Sequence, residues 1–392
     1  MLGTGRIIEI IDYLERYHNK NILEIPVEHK ITVLCESLGV SNNDLDDLII
    51  ENSPVFRTVK GHVFETFFDS LIRGMGYSVT EVGGDEAVDR IVNNYSLQLK
   101  TPNMAGTKGC FVQYKTHKTH GAKSEVESID YYSSIDSFAD FLVGLVSYEP
   151  LNIVFIAKKE LPTTSNSHLH IKSPFTIDWT SHLGLNNFSR IGVSGVPKIN
   201  DLRPKDSEWL PKTSSLLNLS SKVIIDTFLK KENFRMWDMA IRGFAREKSF
   251  TKYCKYNNIN LDHPCITKRL RYDKADHVIK ENGRYTFLQM KGVSTNNCRF
   301  DLVDPLIASE TQLTRGRVND HETQSRLYLV TDFDYLILAI DPPIASLCRG
   351  KKIINTEFYK IPTTHLDTNP TLTHRLKSLK KFIFYSLQAY KI

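Results

Sequence analysis

No apolar stretch in this sequence reaches the roughly 18 residues that a bilayer-spanning helix requires. The longest, around 138–146, is interrupted by Asp140. Residues 1–13 carry charges inside their apolar run and end in no small-residue cleavage site, so a secretory leader is not expected. Cysteine is sparse. The six (Cys35, Cys110, Cys254, Cys265, Cys298 and Cys348) are scattered and form no C-x-x-C pair, which argues against zinc ribbons and disulfide frameworks and suits a reducing compartment. A cytoplasmic protein without a membrane partner is the expectation. An excess of one charge is also missing: 50 Lys and Arg stand against 45 Asp and Glu, a net +5. That balance is compatible with a nucleic-acid partner and does not demand one. There is no G-x-x-x-x-G-K-[ST] phosphate loop, no G-x-S-x-G elbow and no H-E-x-x-H, so an ATP motor, a serine hydrolase and a zincin are excluded.

What is present is a globular composition, 41% hydrophobic and 24% charged, over 392 residues, enough for two domains. The stretch 1–57 reads as a small helical segment. Ile7, Ile8, Ile11 and Leu14 recur at helical spacing, a second helix is expected near 31–38, and Ser41 to Asp44 offer N-cap chemistry for a third at 45–50. Such helices either pack or dimerise, or they contact DNA, although no basic recognition helix stands out. From Lys60 the pattern turns to an amphipathic helix over 61–75, an extended piece at 77–82, and a hairpin whose strands, 89–92 and 95–100, flank Asn93-Asn94. A polar, basic insertion follows over 102–123, then a helix near 123–133 and strands at 137–146 and 152–157. Residues 160–220, rich in Ser, Thr, Asn and Pro, read as loops with a few short elements. The end, 374–392, alternates basic and apolar residues like an amphipathic helix. The domains expected are therefore 58–220 and 221–392, behind the helical segment.

The most informative pattern is a divergent internal repeat. Gly61-x-x-x-Glu65-x-x-Phe68 matches Gly243-x-x-x-Glu247-x-x-Phe250. Asp89-Arg-Ile-Val92 matches Asp276-His-Val-Ile279, and Leu97-Gln98-Leu-Lys100 matches Leu288-Gln289-Met-Lys291. Phe138 to Leu142 is set against Phe333 to Ile337. The landmarks keep their order, with Glu-to-Asp separations of 24 and 29 and Asp-to-Gln separations of 9 and 13 residues.

Alternation along a strand puts Gln98 and Lys100 on one face. With Asp89 on the neighbouring strand and Glu65 on the preceding helix, carboxylates, an amide and an ammonium converge. Glu247, Asp276, Gln289 and Lys291 repeat the set. A hard divalent cation such as Mg²⁺ takes oxygen ligands of this kind and retains waters for a substrate phosphate, while a lysine stabilises developing charge. The alternative is that an edge strand simply turns its lysine to water. A competing register would use Gln113-Tyr-Lys115 in place of Gln98-Leu-Lys100.

These residues resemble the PD-(D/E)xK nuclease superfamily, to which many restriction endonucleases belong, and in particular its Mrr-type branch with Gln-x-Lys. The resemblance covers about 58–160 and 234–345. It implies an α/β protein with two tandem restriction-endonuclease-like cores, each a mixed sheet flanked by helices. By that resemblance Asp89, Gln98, Lys100, Asp276, Gln289 and Lys291 are catalytic, and Glu65, Asp89, Glu247 and Asp276 hold Mg²⁺. Val88 and Ala275 stand where the family has proline, and Asp85 and Asp273 are nearby carboxylates able to assist. The donors Lys115, His117, Lys118, His120 and Lys123, with Lys268, Arg269 and Arg271, are the expected nucleic-acid contacts. The function implied is Mg²⁺-dependent hydrolysis of double-stranded DNA, most simply by a type II restriction endonuclease, acting as a pseudo-dimeric monomer or a homodimer. A modification-dependent or repair nuclease, or a catalytically inactive nucleic-acid-binding protein, are the alternatives.

Overall fold

The computed structural model of the 392-residue chain describes residues 3–51, 53–82, 88–105, 108–111, 116–117, 130–131, 135–148, 151–164, 167–171, 175–178, 188–195, 208–233, 235–262, 275–281, 283–312 and 327–392. Two compact units emerge, one made of residues 1–52 together with 228–392, the other of 53–227.

The N-terminal helices are α1 (Ile7–His18), α2 (Val27–Leu38) and α3 (Asn42–Glu51). The stripe that α1 buries is Ile7, Ile10, Ile11 and Leu14, whereas Ile8 is exposed. Ser41 starts α3 as its sequence predicts: its Oγ accepts the Asp44 backbone N–H, and the Asp44 carboxylate accepts the Ser41 backbone N–H at 3.1 Å. The acidic side of α3 meets a basic helix of the same unit, α5 (Arg242–Tyr256). Lys252 lies 2.5 Å from Asp44, and Lys248 lies 3.5 Å from Asp47 and 3.3 Å from Glu51. These helices pack against the C-terminal half of the chain; they do not stand as a unit by themselves.

In the unit 53–227, α4 (Ser53–Gly74) buries Phe64, Phe67, Phe68, Leu71 and Ile72. Beside it runs a sheet of β1 (Thr80–Glu81), β2 (Arg90–Val92), β3 (Tyr95–Lys100), β4 (Phe141–Tyr148) and β5 (Leu151–Ala157), in that order. The pairings run antiparallel, antiparallel, parallel and antiparallel. Asn93 and Asn94 both adopt positive φ, 48° and 67°, closing the β2–β3 hairpin with the twist that primed turns provide. The stretch expected as a basic insertion contains two strands, Asn103–Ala105 and Lys108–Phe111, which form a small antiparallel sheet with Phe175–Asp178. A helix at Pro211–Leu217 appears toward the end of the stretch expected to be mostly loops, and another, Ser221–Phe228, follows it.

The second unit repeats this plan. The described strands β6 (Leu261–Asp262), β7 (His277–Glu281), β8 (Arg284–Gly292), β9 (Tyr335–Ile340) and β10 (Glu357–Pro362) form a sheet in that order, with the same sequence of pairing directions. Both halves are thus α/β, with mixed sheets and flanking helices. One difference lies between the last two strands. A helix, α6 (Pro342–Arg349), joins β9 to β10, where β4 and β5 follow each other directly. One face of the second sheet packs Leu288, Met290, Ile337 and Ala339 against Phe250 and Cys254 of α5. The opposite face packs Phe287, Leu336, Leu338 and Ile340 against α6 and the C-terminal residues.

The parallel pairing corrects the last landmark of the repeat by one residue. Gln98 sits beside Leu142 and Gln289 beside Leu336. Asp140 accepts the Ser96 N–H, and Asp334 the Phe287 N–H, both at 2.8 Å. The two aspartates are therefore equivalents, and Phe138 does not correspond to Phe333. The expected C-terminal helix is also replaced. Leu379–Ile383 is a strand paired antiparallel with Leu306–Glu310, followed by a 3₁₀ turn at Tyr385–Tyr390. The unpaired groups of 306–310 offer a partner ladder, and tertiary pairing overrides a helical spacing that the local sequence only suggests.

Candidate active site

Backbone register brings the predicted polar residues together in both halves. In the first, Arg90 pairs with Leu97, so Asp89 falls opposite Gln98, and its N–H donates to the Leu97 carbonyl at 2.8 Å. Asp89 Oδ2 accepts the Gln98 amide at 2.5 Å and the Leu99 backbone N–H at 2.7 Å. In the second, His277 pairs with Leu288, and the Asp276 N–H donates to the Leu288 carbonyl at 2.9 Å. Asp276 Oδ2 accepts the Gln289 amide and, at 2.9 Å, the Met290 backbone N–H. Two bonds to one carboxylate oxygen, made by the same two positions, recur despite a hairpin four residues longer.

These bonds fix each aspartate and the side chain of its glutamine. Strand alternation then puts Lys100 beside Gln98 and Lys291 beside Gln289. Lys291 lies over the ring of Tyr328, 5.3 Å from its centroid. Removal from water pushes its ammonium below the ordinary lysine range, while Asp276, Glu310 and Glu247 oppose the shift. The helix glutamates lie near the aspartates: Glu65 helps raise the Asp89 carboxyl, and Asp276 helps raise that of Glu247.

Desolvation is the first cause of the rise at Asp89, which Lys100 offsets. Asp276 is exposed as a residue, but desolvation of its bonded carboxyl again raises it, against the Met290 N–H and Lys291. Glu247 is pushed up to about 7 by desolvation and by Asp276, with Lys291 acting the other way. A second-half carboxyl that changes charge near neutral pH is the kind of perturbed group that active sites collect.

Among the described residues, no group of three or more His, Cys, Asp and Glu side chains is gathered for a metal ion. Among these residues, a cation would find two carboxylates and an amide oxygen in one half. The second half offers such a set: Gln289 is 3% exposed, and its Oε1 has no hydrogen-bond partner although its amide is anchored on Asp276. An orphaned buried carbonyl on the residue bonded to Asp276, with Glu247 coupled to the same aspartate, fits a hard cation.

The expected nucleic-acid contacts Lys115, Lys118, His120, Lys123, Lys268, Arg269 and Arg271 lie outside the described residues, as do Asp85, Gln113 and Asp273. His117 lies in a short strand, Thr116–His117, paired with Asp130–Tyr131, and its side chain is not described. Several site neighbours escape a motif reading. Arg90 and His277 directly follow the aspartates, and Asp140 and Asp334 pin the parallel strand. Arg242 and Arg246 clamp the buried Asp341, with Arg246 Nε 2.7 Å from Oδ1 and Nη2 2.5 Å from Oδ2. Arg246 also crosses the backbone at Gly292, the residue after Lys291: a Cβ there would lie 1.7 Å from its Nη1. Only the position of Arg90 and His277, beside the repeated aspartates, was a usable sequence signal. Comparison of the chain with protein-family models, curated proteins and solved structures finds no match.

Proposed function

We propose that this chain is a Mg²⁺-dependent endonuclease acting on phosphodiester bonds of double-stranded DNA, most simply of the restriction type. The observation that carries the reading is the twofold occurrence of one register-built cluster: Asp opposite Gln, Lys two residues on, and Glu from the helix before the hairpin. A single structural accident does not account for the same two hydrogen bonds at the same two strand positions in both halves.

The chemistry assigned to the chain's own groups is as follows. Asp276 and Glu247, with Gln289 Oε1, would hold the metal, and Asp89 and Glu65 are their first-half counterparts. A bound Mg²⁺ would polarise the phosphate and acidify a water. Lys291 or Lys100 places a positive charge where the attacking oxygen and the pentavalent phosphorus develop negative charge. The Gln-to-Asp bond holds the aspartate in place and leaves the lysine ammonium out of that bond.

The test is cleavage of a long, sequence-diverse duplex in Mg²⁺ by wild type, Lys100→Ala, Lys291→Ala and the double variant. Discrete fragments from wild type, none from the double variant, are expected. The neutral glutamines and the lack of a three-acid group among the described residues favour one second reading, a DNA-binding protein without catalysis. Retained duplex binding with no cleavage in any divalent metal would select it.

A further inference from the structure

The two clusters differ in their immediate counter-charge. Arg90 follows Asp89 and is 5% exposed. It donates Nε to Asp69 Oδ1 at 2.8 Å and Nη2 to Glu65 Oε2 at 3.3 Å, and His62 lies 3.6 Å from Glu65 Oε1. The first-half glutamate thus already has a fixed guanidinium against it, itself locked by a second carboxylate. In the second half His277 occupies the place of Arg90, and Thr251 stands four residues after Glu247, where Asp69 follows Glu65. The His277 ring packs against Phe250, centroids 5.3 Å apart, and its Nε2 finds no partner.

Among the described residues Glu247 makes no ion pair. Its neighbour Asp276 holds the amide of the buried Gln289, whose carbonyl oxygen has no hydrogen-bond partner. A divalent cation entering the first cluster would have to displace a buried, doubly bonded guanidinium. One entering the second would meet two carboxylates and an unpartnered oxygen, with Lys291 the nearby ammonium.

We infer that the chain holds its divalent cation in the second half, on Glu247, Asp276 and Gln289, and that the first cluster is a charge-compensated counterpart that binds none. The inference rests on the nuclease reading only for what the cation does. Under that reading each chain cuts one strand, and double-strand scission requires a second chain.

The experiment is titration of the full chain with Mn²⁺, following free Mn²⁺ by electron paramagnetic resonance. Wild type should take up a single equivalent. Glu247→Gln and Asp276→Asn should weaken uptake by about tenfold or more, and Glu65→Gln and Asp89→Asn should leave it intact. Wild-type uptake of none or of two equivalents overturns the assignment whatever the variants' stability, and so does a single equivalent lost with Glu65→Gln. One equivalent lost with Glu247→Gln but no DNA cleavage would keep the assignment and remove the nuclease reading. Cleavage by a chain holding two equivalents would do the reverse.

Discussion

Replacing Asp341 by asparagine should cost more stability than any other isosteric change in the second half. Asp341 is 2% exposed, immediately follows β9 and stands at the N-cap position of α6 without a side-chain capping bond. Its Oδ2 accepts Arg242 Nε at 3.1 Å and Nη2 at 2.5 Å, and Arg246 binds both of its oxygens. Asparagine keeps the volume but turns an N–H₂ toward guanidinium N–H groups and removes the one charge that, among the described residues, pairs with both arginines at once. Asp238, 3.7 Å from Arg242 Nη1, is left as partial compensation. Breaking a buried pair by removing one partner costs about 3–5 kcal/mol, a large share of the roughly 5–15 kcal/mol that holds a domain folded. The assay is peptide-resolved hydrogen exchange, which reads each half separately. Amides of β8 and β9 should exchange on the order of 100-fold faster or more, at about 1.4 kcal/mol per decade, with β3 and β4 unchanged. The two arginines hold Asp341 below the ordinary carboxylate range against the cost of burial. Its contribution is therefore present above the unfolded-state value, about 3.9, and disappears as pH falls through the lower folded-state value. An effect under about 1 kcal/mol, or one spread equally over both halves, would refute the account of this cluster.

Gly292→Ala should displace Arg246 from its path and cost about 1–3 kcal/mol; combined with Arg246→Ala the effect should be clearly non-additive in urea unfolding, and simple additivity would contradict the contact. Glu247→Gln, without divalent cation, should stabilise the chain at pH 8. The raised carboxyl penalises folding progressively from pH about 4.5 to about 7, so a gain of roughly 1–3 kcal/mol after discounting partial exposure is expected. Mn²⁺ should reverse that gain, and equal stabilities in thermal melts would sink the reading. His277, held near 4 by burial, is neutral when folded and takes a proton on unfolding below about 6.5. Stability should therefore fall with pH from about 6.5 to 4, by up to roughly 3 kcal/mol. His277→Gln should flatten that slope in urea titrations.

Much of the site was legible before any tertiary contact. Asn93-Asn94 set a primed turn, that turn set the β2–β3 register, and the register put Asp89 opposite Gln98; the order Asp, Gln, Lys then repeated in the second half. Ser41 to Asp44 likewise announced the start of α3. These features are local, fixed by backbone geometry and a period of two. The rest depended on groups far apart in sequence. The one-residue correction between Phe138 and Phe333 came from parallel pairing, which couples strands some forty residues apart through Asp140 and Asp334. The C-terminal strand exists because 306–310 offers it a ladder, and α1–α3 bury apolar stripes within the same unit as 228–392, where carboxylates of α3 meet Lys248 and Lys252. Above all, Arg90 and His277 look like casual variation beside a repeated aspartate. Only packing against the preceding helix gives one of them two carboxylates and the other a phenylalanine ring. The sequence by itself determined which polar residues share a strand face; the tertiary structure decided which of those carboxylates is already neutralised, because counter-charge depends on side chains meeting across elements rather than along them.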